Sequence, residues 1–256
     1  MERYSDYDPF AWLYATHWGR EYHEQAWSVL NRLLFHQLPR GARILDVCCG
    51  DGRLDQTLAI HGFEITGLDG SENMLAFARE RCPQFDFILG DARCFDLPAC
   101  FDAAISTFDA LNHIMSPDEL ASVFRCVQAC LKPGGFFAFD LNREEAYTRL
   151  WSQTFALVEP DMVSVSQGWY HRELRIAYCD ITLFRLLDES WQRSDFQLAQ
   201  FCHRDEDVLS GLFAAGFVDA KSYDASEDLG MTGNIGQGRT YYLARKALLS
   251  GPGCAK

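Results

Sequence analysis

Residues 43–52 read RILDVCCGDG, an apolar run from Arg43 to Val47 that turns at Cys48-Cys49-Gly50-Asp51-Gly52. The first half has the length and branched content of a buried strand. The second half is a turn of small residues that lets backbone approach a ligand closely. The same rhythm continues downstream. Helical spacing over Arg53–His61 leads to a strand at Phe63–Leu68, a helix at Ser71–Arg81, and strands at Phe85–Leu89 and Phe101–Ser106. Ser116-Pro117-Asp118-Glu119 opens another helix, with Ser as the N-cap, Pro in the first turn and Glu placed for a capping box. Lys132-Pro133-Gly134-Gly135 ends it, and Phe136–Asp140 is the next strand. Strands alternating with helices predict a doubly wound, mostly parallel α/β sheet covered on both faces.

Upstream, residues 9–38 read as two helices. The second, Glu21–Leu38, places Trp27, Leu30, Leu34 and Leu38 on one face. Downstream of Asn142 the pattern changes to long half-polar segments such as MVSVSQGWYHR and ELRIAYCDITLFRLL, which predict antiparallel strands. Residues 143–204 are therefore expected to form an antiparallel β lid, inserted in a single domain spanning residues 1–250. A helix at Asp205–Ala215 stopped by Gly216, and strands at Phe217–Tyr223 and Thr240–Ala244, complete the sheet. Residues 251–256 read as a disordered tail.

Composition narrows the classes. Hydrophobic residues make up 48% of the 256 and the formal net charge is −13, without a Lys/Arg-rich stretch, which disfavours nucleic acid as a partner. No apolar run reaches the ~20 residues of a membrane helix. The acidic N-terminus lacks the pattern of a secretion signal, so a cytoplasmic location is expected, as monomer or homodimer. The ten cysteines fall mostly in apolar periodic segments and form no C-x-x-C pair, so they read as small reduced core residues; no metal site is expected.

The chemistry gathers at strand ends, where a doubly wound sheet binds its ligand. Gly50 and Gly52 come directly after the first strand. Asp69 ends the second, 23 residues beyond Asp46, at a place where a carboxylate accepts both hydroxyls of a ribose. Asp91 in Gly90-Asp91-Ala92 lies just past the third and suits the amino group of adenine. The fourth runs into STFDALNHI. Singly, a glycine pair reads as a tight turn and a strand-end Asp as a helix cap; four in order make the signal.

ILDVCCGDG resembles the glycine-rich motif of class I S-adenosylmethionine-dependent methyltransferases, a Rossmann-like fold. GLDGSENML, GDARCFDLP and LKPGGFFAFDLN are similar to their later motifs. The resemblance covers roughly residues 4–142. Cys48 stands where that motif has its first glycine, so its backbone must hold φ < 0 or accept strain. The resemblance implies S-adenosyl-L-methionine as cofactor. Asp46 would orient the loop at the methionine amino group, and Cys48, Gly50 and Gly52 would admit the methionine moiety. Asp69 would bind ribose, flanked by Gly70 and Met74, and Asp91 with Ala92 would hold adenine. Thr107 and Phe108 would line the sulfonium, with Tyr22 counted among the cofactor contacts. A nicotinamide-dependent dehydrogenase fits less well, because its G-x-G-x-x-G needs glycines at Cys48 and Arg53. A non-catalytic, partner-binding relative of the fold would be expected to have a damaged cofactor site, and here the motif residues are intact.

For the acceptor, LYATHWGREYHEQA with FDALNHI also resembles amino-sugar and, less closely, glycine-type N-methyltransferases. Tyr14, Tyr22-His23 and His113 match their N-terminal tyrosine, Tyr-His pair and post-strand histidine. On that resemblance His113 is the expected general base and Tyr14 its partner in catalysis, acting on a small-molecule acceptor, with an amine nitrogen as one candidate. By residue type alone, His113 also suits a cap or a core position. Trp18, Trp151, His171, His203 and Arg239 are the candidate acceptor contacts, although lid packing and a surface arginine are the blander alternatives.

Overall fold

Adjacent residues of the first strand point to opposite cores. In the computed structural model, which describes residues 5–18 and 20–248, β1 (Arg43–Val47) sends Leu45 and Val47 to one side and Ile44 to the other. The same alternation recurs at Ala103 and Ala104 in β4 (Phe101–Ser106), and at Phe137 and Ala138 in β5 (Leu131–Asn142). A strand sandwiched between two layers must be apolar on both faces, which is why these segments read as continuous apolar runs. The seven-stranded sheet runs β10 (Phe217–Asp224), β11 (Arg239–Lys246), β5, β4, β1, β2 (Glu64–Asp69), β3 (Asp86–Leu89). The pairings β5-β4-β1-β2-β3 are parallel; β11 runs antiparallel to both β5 and β10.

Helices α5 (Pro117–Cys130) and α7 (Asp205–Ala214) cover one face through Leu120, Phe124, Val208 and Leu212. On the other, α2 (Arg20–Leu33) and α3 (Arg53–Ile60) bury Leu30, Leu54 and Leu58. Strand order reverses between β1 and β4, which opens a crevice at their carboxyl ends. The expected N-cap is present: Ser116 Oγ accepts the Glu119 N–H at 3.3 Å. The Glu119 carboxylate takes the Arg93 guanidinium at 2.7 Å rather than closing the box on the Ser116 backbone.

A separate antiparallel sheet holds β6 (Thr154–Glu159), β7 (Met162–His171), β8 (Ile176–Leu187) and β9 (Ser190–Phe201) in sequential order. Its inner residues Met162, Ile181, Leu183 and Leu198 pack with Phe10 and Leu13 of the N-terminal segment that leads into and forms α1 (Ala11–His17). A single turn, α6 (Glu144–Ala146), and a π-turn over Tyr147–Trp151 connect the two sheets.

Two boundaries differ from the expectation. The second helix stops at Leu33, because Leu34 adopts φ −132° and ψ −55° and leads into a 3-10 turn at Phe35–Gln37. That turn brings the Phe35 ring to 5.2 Å from Phe63. The Lys132–Gly135 stretch lies inside β5 rather than before it: Phe101 pairs with Leu131 and Ala103 with Phe136, so the extra residues bulge out. The expected disordered tail lies outside the described residues. The nine described cysteines are free, with Cys94 exposed rather than in the core. No helix among the described residues is long and apolar enough to cross a membrane.

Candidate active site

At the carboxyl ends of β1, β2 and β3 lies a cavity of about 320 Å³. Cys48, Gly50, Asp69, Gly70 and Met74 line one part of it, and Asp91, Ala92, Thr107 and Phe108 another. Nine of the twelve expected cofactor residues thus come together. Asp69 is the hinge of the site: one carboxylate oxygen accepts the Gly50 N–H at 2.9 Å, the other the Ser71 N–H at 2.8 Å. Burial pushes its pKa up to about 6, against the lowering effect of the backbone donors of Ser71, Gly50 and Gly70. Asp91 is held from below by Arg93, which donates from its backbone N–H at 2.8 Å and from its guanidinium at 2.7 Å. Cys48 takes the strained alternative, with φ +62°.

Three expected cofactor residues do not line this cavity. Asp46 is buried behind the loop beside Asp55. Burial and then the Asp55 charge push Asp46 well above the usual carboxylate range, and burial pushes Asp55 up to about 7. Gly52, at φ +71°, faces α4 (Glu72–Arg81), where an added Cβ would lie 3.0 Å from Ala78. Its smallness serves helix packing, not ligand entry. Tyr22 lines the neighbouring cavity instead.

That second cavity, about 650 Å³, lies between the N-terminal helices, the strand ends and the antiparallel sheet. Of the candidate acceptor contacts, Trp18, Trp151 and Arg239 line it; His171 and His203 do not. His171 is exposed at the end of β7, where its Nδ1 accepts the Leu174 N–H at 3.3 Å. His203 is buried and donates from Nε2 to the Ile114 carbonyl at 2.9 Å. Tyr7, Tyr14, Phe108 and Leu198 line both cavities and form the wall they share.

Beneath this wall sits a buried charged cluster. Arg239 is in ion-pair contact with Asp140 through Nη1 and with Asp109 at 2.7 Å through Nη2, and Nε donates to the Ile235 carbonyl at 2.7 Å. A guanidinium so engaged is an internal anchor, neither the acceptor contact nor the surface arginine expected from the sequence. Asp140 also accepts the Tyr22 hydroxyl at 2.8 Å and the N–H groups of Phe108 and Asp109 at 2.7 and 2.9 Å. Burial raises the Asp140 pKa, and the Arg239 charge and these donors work against that rise to favour the ionised carboxylate. Phe108 and Asp109 both sit in the left-handed region, at φ +60° and +50°. Such strain persists only when it is over-determined, and here the Asp140 carboxylate clamps both amides. Two carboxylates against one guanidinium leave one net negative charge at the cavity floor.

His113 is not the free imidazole expected beside an acceptor. Its Nδ1 lies 2.7 Å from the Ala199 carbonyl, which can only accept, so Nδ1 carries the hydrogen. Nε2 then accepts from the Tyr7 hydroxyl at 2.8 Å, with the Gln200 amide nitrogen at 3.1 Å. Burial drives its pKa down to about 4, against the raising effect of the Ala199 carbonyl. Tyr14 bonds to His23 Nε2 at 3.3 Å rather than joining His113.

Sequence reasoning missed Tyr7, Asp109, Asp140 and Gln200. Asp140 had a usable signal, since it closes a strand at its carboxyl end as Asp46 and Asp69 do. Tyr7 and Gln200 had none: an aromatic in a polar N-terminal segment and a glutamine in an amphipathic strand match no local pattern.

Residues 44–135 match a family model described as a methyltransferase domain. Among curated proteins, the chain is similar to YqeM of Bacillus subtilis strain 168, named as a methyltransferase, with 31% identity over 163 residues, 62% of this chain and 66% of that protein. It is also similar to the dTDP-3-amino-3,4,6-trideoxy-alpha-D-glucopyranose N,N-dimethyltransferase of Streptomyces venezuelae, 31% identical over 117 residues, 46% of this chain and 49% of that one. The chain spans between about half and two thirds of these relatives' own lengths. Among solved structures, an S-adenosylmethionine-dependent methyltransferase from Clostridium acetobutylicum ATCC 824 has a TM-score of 0.75 at 20% identity, covering 95% of this chain and 100% of that one. DesVI of Streptomyces venezuelae has a TM-score of 0.75 at 21% identity, covering 95% and 99%. At these identities the likeness is one of fold.

Proposed function

The chain carries a methyltransferase domain on the fold of the S-adenosylmethionine-dependent enzymes, and from that premise we propose that it methylates the amine nitrogen of a small molecule. One observation carries the reading: a nucleoside-type cavity and a larger one share a wall of Tyr7, Tyr14, Phe108 and Leu198. Two reactants that must meet in line need two adjoining compartments, and little else from the protein.

The residues present fit the cofactor. Gly50 holds φ +58°, a conformation that favours glycine, and its bare backbone leaves open the space in which a Cβ would reach ordinary contact with Met74 Cε and Tyr14 Cε1 at 3.8 Å. Asp69 would hold the ribose hydroxyls with lone pairs its backbone donors leave over, and Asp91 with Ala92 the adenine. Cys48, Gly70, Met74, Thr107 and Phe108 would close around them. When bound, the cofactor supplies an electrophilic methyl group on a sulfonium.

The chain's own residues attract and orient the acceptor. The net negative charge of Asp109 and Asp140 against Arg239 favours a cationic amine over an anionic acceptor, and the surrounding rings add cation–π attraction. The names of sugar N,N-dimethyltransferase relatives support the amine. The Tyr7 hydroxyl orients the acceptor, and His113 is a positioning residue that holds Tyr7. Tyr14 contributes from the same wall. Residues 143–204 act as a lid of the same domain. Free cysteines suit a reducing cytoplasmic setting, with the chain working as monomer or homodimer.

The test is direct. S-adenosylhomocysteine at 100 times its dissociation constant should add about 2.7 kcal/mol of stability, and labelled methyl donor should mark members of a panel of small amines. A thermal shift with NADH and none with S-adenosylhomocysteine would sink the assignment.

A further inference from the structure

Resting on that reading, we propose that the acceptor is an amine borne on an apolar body that carries no phosphate group. A cavity of about 650 Å³ takes a molecule well beyond amino-acid size. On the antiparallel sheet its lining is mostly apolar, with Phe155, Leu157, Ile181 and Leu198 beside the polar Thr154, Ser166 and Gln200; Phe10 and Trp18 pack onto the apolar part, the Trp18 ring 6.2 Å from that of Phe155. Phosphate and diphosphate recognition draws on guanidinium forks, ammonium groups and backbone N–H groups. Among the described residues lining this cavity, the cationic side chains are Arg239 and His17. Each of the three Arg239 nitrogens already donates, to Asp140, Asp109 and the Ile235 carbonyl, and its charge is matched by the two carboxylates. His17 is exposed, its ring 5.6 Å from Trp12. Asp109 and Glu24 also line the cavity, so a diphosphate would meet carboxylates where it needs donors. The floor charge, the ring-rich wall and the apolar sheet face together select an ammonium group with a hydrophobic body behind it. In this the cavity departs from what the named dTDP-sugar substrate of the Streptomyces venezuelae relative would ask of its enzyme.

The experiment uses the intact chain. Binding of S-adenosylhomocysteine is measured first by calorimetry. Then n-alkylamines from butylamine to octylamine, and separately dTDP and a dTDP-amino sugar, are titrated into the saturated complex. Amine affinity should rise about fourfold per added methylene, and octylamine should accept labelled methyl. Ile181→Ser should weaken octylamine binding at least fivefold while leaving S-adenosylhomocysteine affinity unchanged; Leu157→Ser, on the edge strand, gives the same readout should Ile181→Ser fail to fold. Tighter binding of dTDP or the dTDP-amino sugar than of octylamine, or a flat amine series, overturns the proposal alone. Failure of S-adenosylhomocysteine to bind overturns the methyltransferase reading itself, and the proposal with it.

Discussion

Tyr7 and His113 stand 106 positions apart in the chain and are bonded to each other, hydroxyl to Nε2, at 2.8 Å. The bond places the Tyr7 ring in the wall between the two cavities and consumes the lone pair that a general base would need. With Nδ1–H given to the Ala199 carbonyl and the pKa driven down to about 4 by burial, His113 is neutral at pH 7. A proton would have to move from an ammonium to a far weaker base.

Tyr7→Phe and His113→Asn should therefore each lower turnover about tenfold, and the double variant little more than either alone, because both break one unit. The pH profile of kcat/KM should show no inflection near 6.5 that disappears in His113→Asn. A loss of a hundredfold or more in His113→Asn, with such an inflection in the parent, would restore the general-base role.

Asp69 is expected to set the pH dependence of cofactor binding. Its pKa is pushed up to about 6, above the ordinary carboxylate value, chiefly by burial. Ribose hydroxyls bond best to the ionised form, so affinity is complete above pH 7 and falls as pH drops through 6. S-adenosylhomocysteine should bind about tenfold more weakly at pH 5 than at 7.5, and Asp69→Asn should flatten that dependence. Asp69→Ala should cost at least about tenfold at pH 7.5, since hydrogen bonds to a charged group are worth about 1.5–3 kcal/mol. Calorimetry across pH reads both.

Arg239→Met should cost about 3–5 kcal/mol, because it leaves Asp109 and Asp140 buried without their cation. Denaturant titration checks the size, and the melting temperature should fall by about 10 °C. An unchanged melting temperature would mean that Arg239 is not the anchor of the cluster.

Gly168 tests the independence of the two cavities. A Cβ there would lie 1.8 Å from the Trp151 carbonyl oxygen, so Gly168→Ala must displace the turn that carries Trp151. Acceptor KM should rise about tenfold or more, given how steeply rates depend on placement. S-adenosylhomocysteine affinity, read in the same preparation, should stay unchanged.

The parallel strands, the helices between them and the carboxylates at the strand ends were legible in the amino-acid order. Ile44 to Val47, the turn through Gly50 and the Ser116 cap are local signals, set by side-chain periodicity and turn chemistry within a few residues. The antiparallel insertion showed itself equally by its half-polar alternation. The order of residues by itself left open where each polar side chain is spent. Asp46 and Asp69 both end buried strands, yet one backs onto Asp55 behind the loop and the other opens into a cavity. Arg239 precedes the last strand as a surface arginine would, but antiparallel pairing of Arg239 with Asn142 brings it beside Asp140. Tyr7, His113 and Gln200 meet only because the N-terminal segment and the inserted sheet close on the same strand end. Periodicity specifies which face of an element is buried. Only the packing of distant elements decides which buried polar groups neutralise one another and which remain for a ligand.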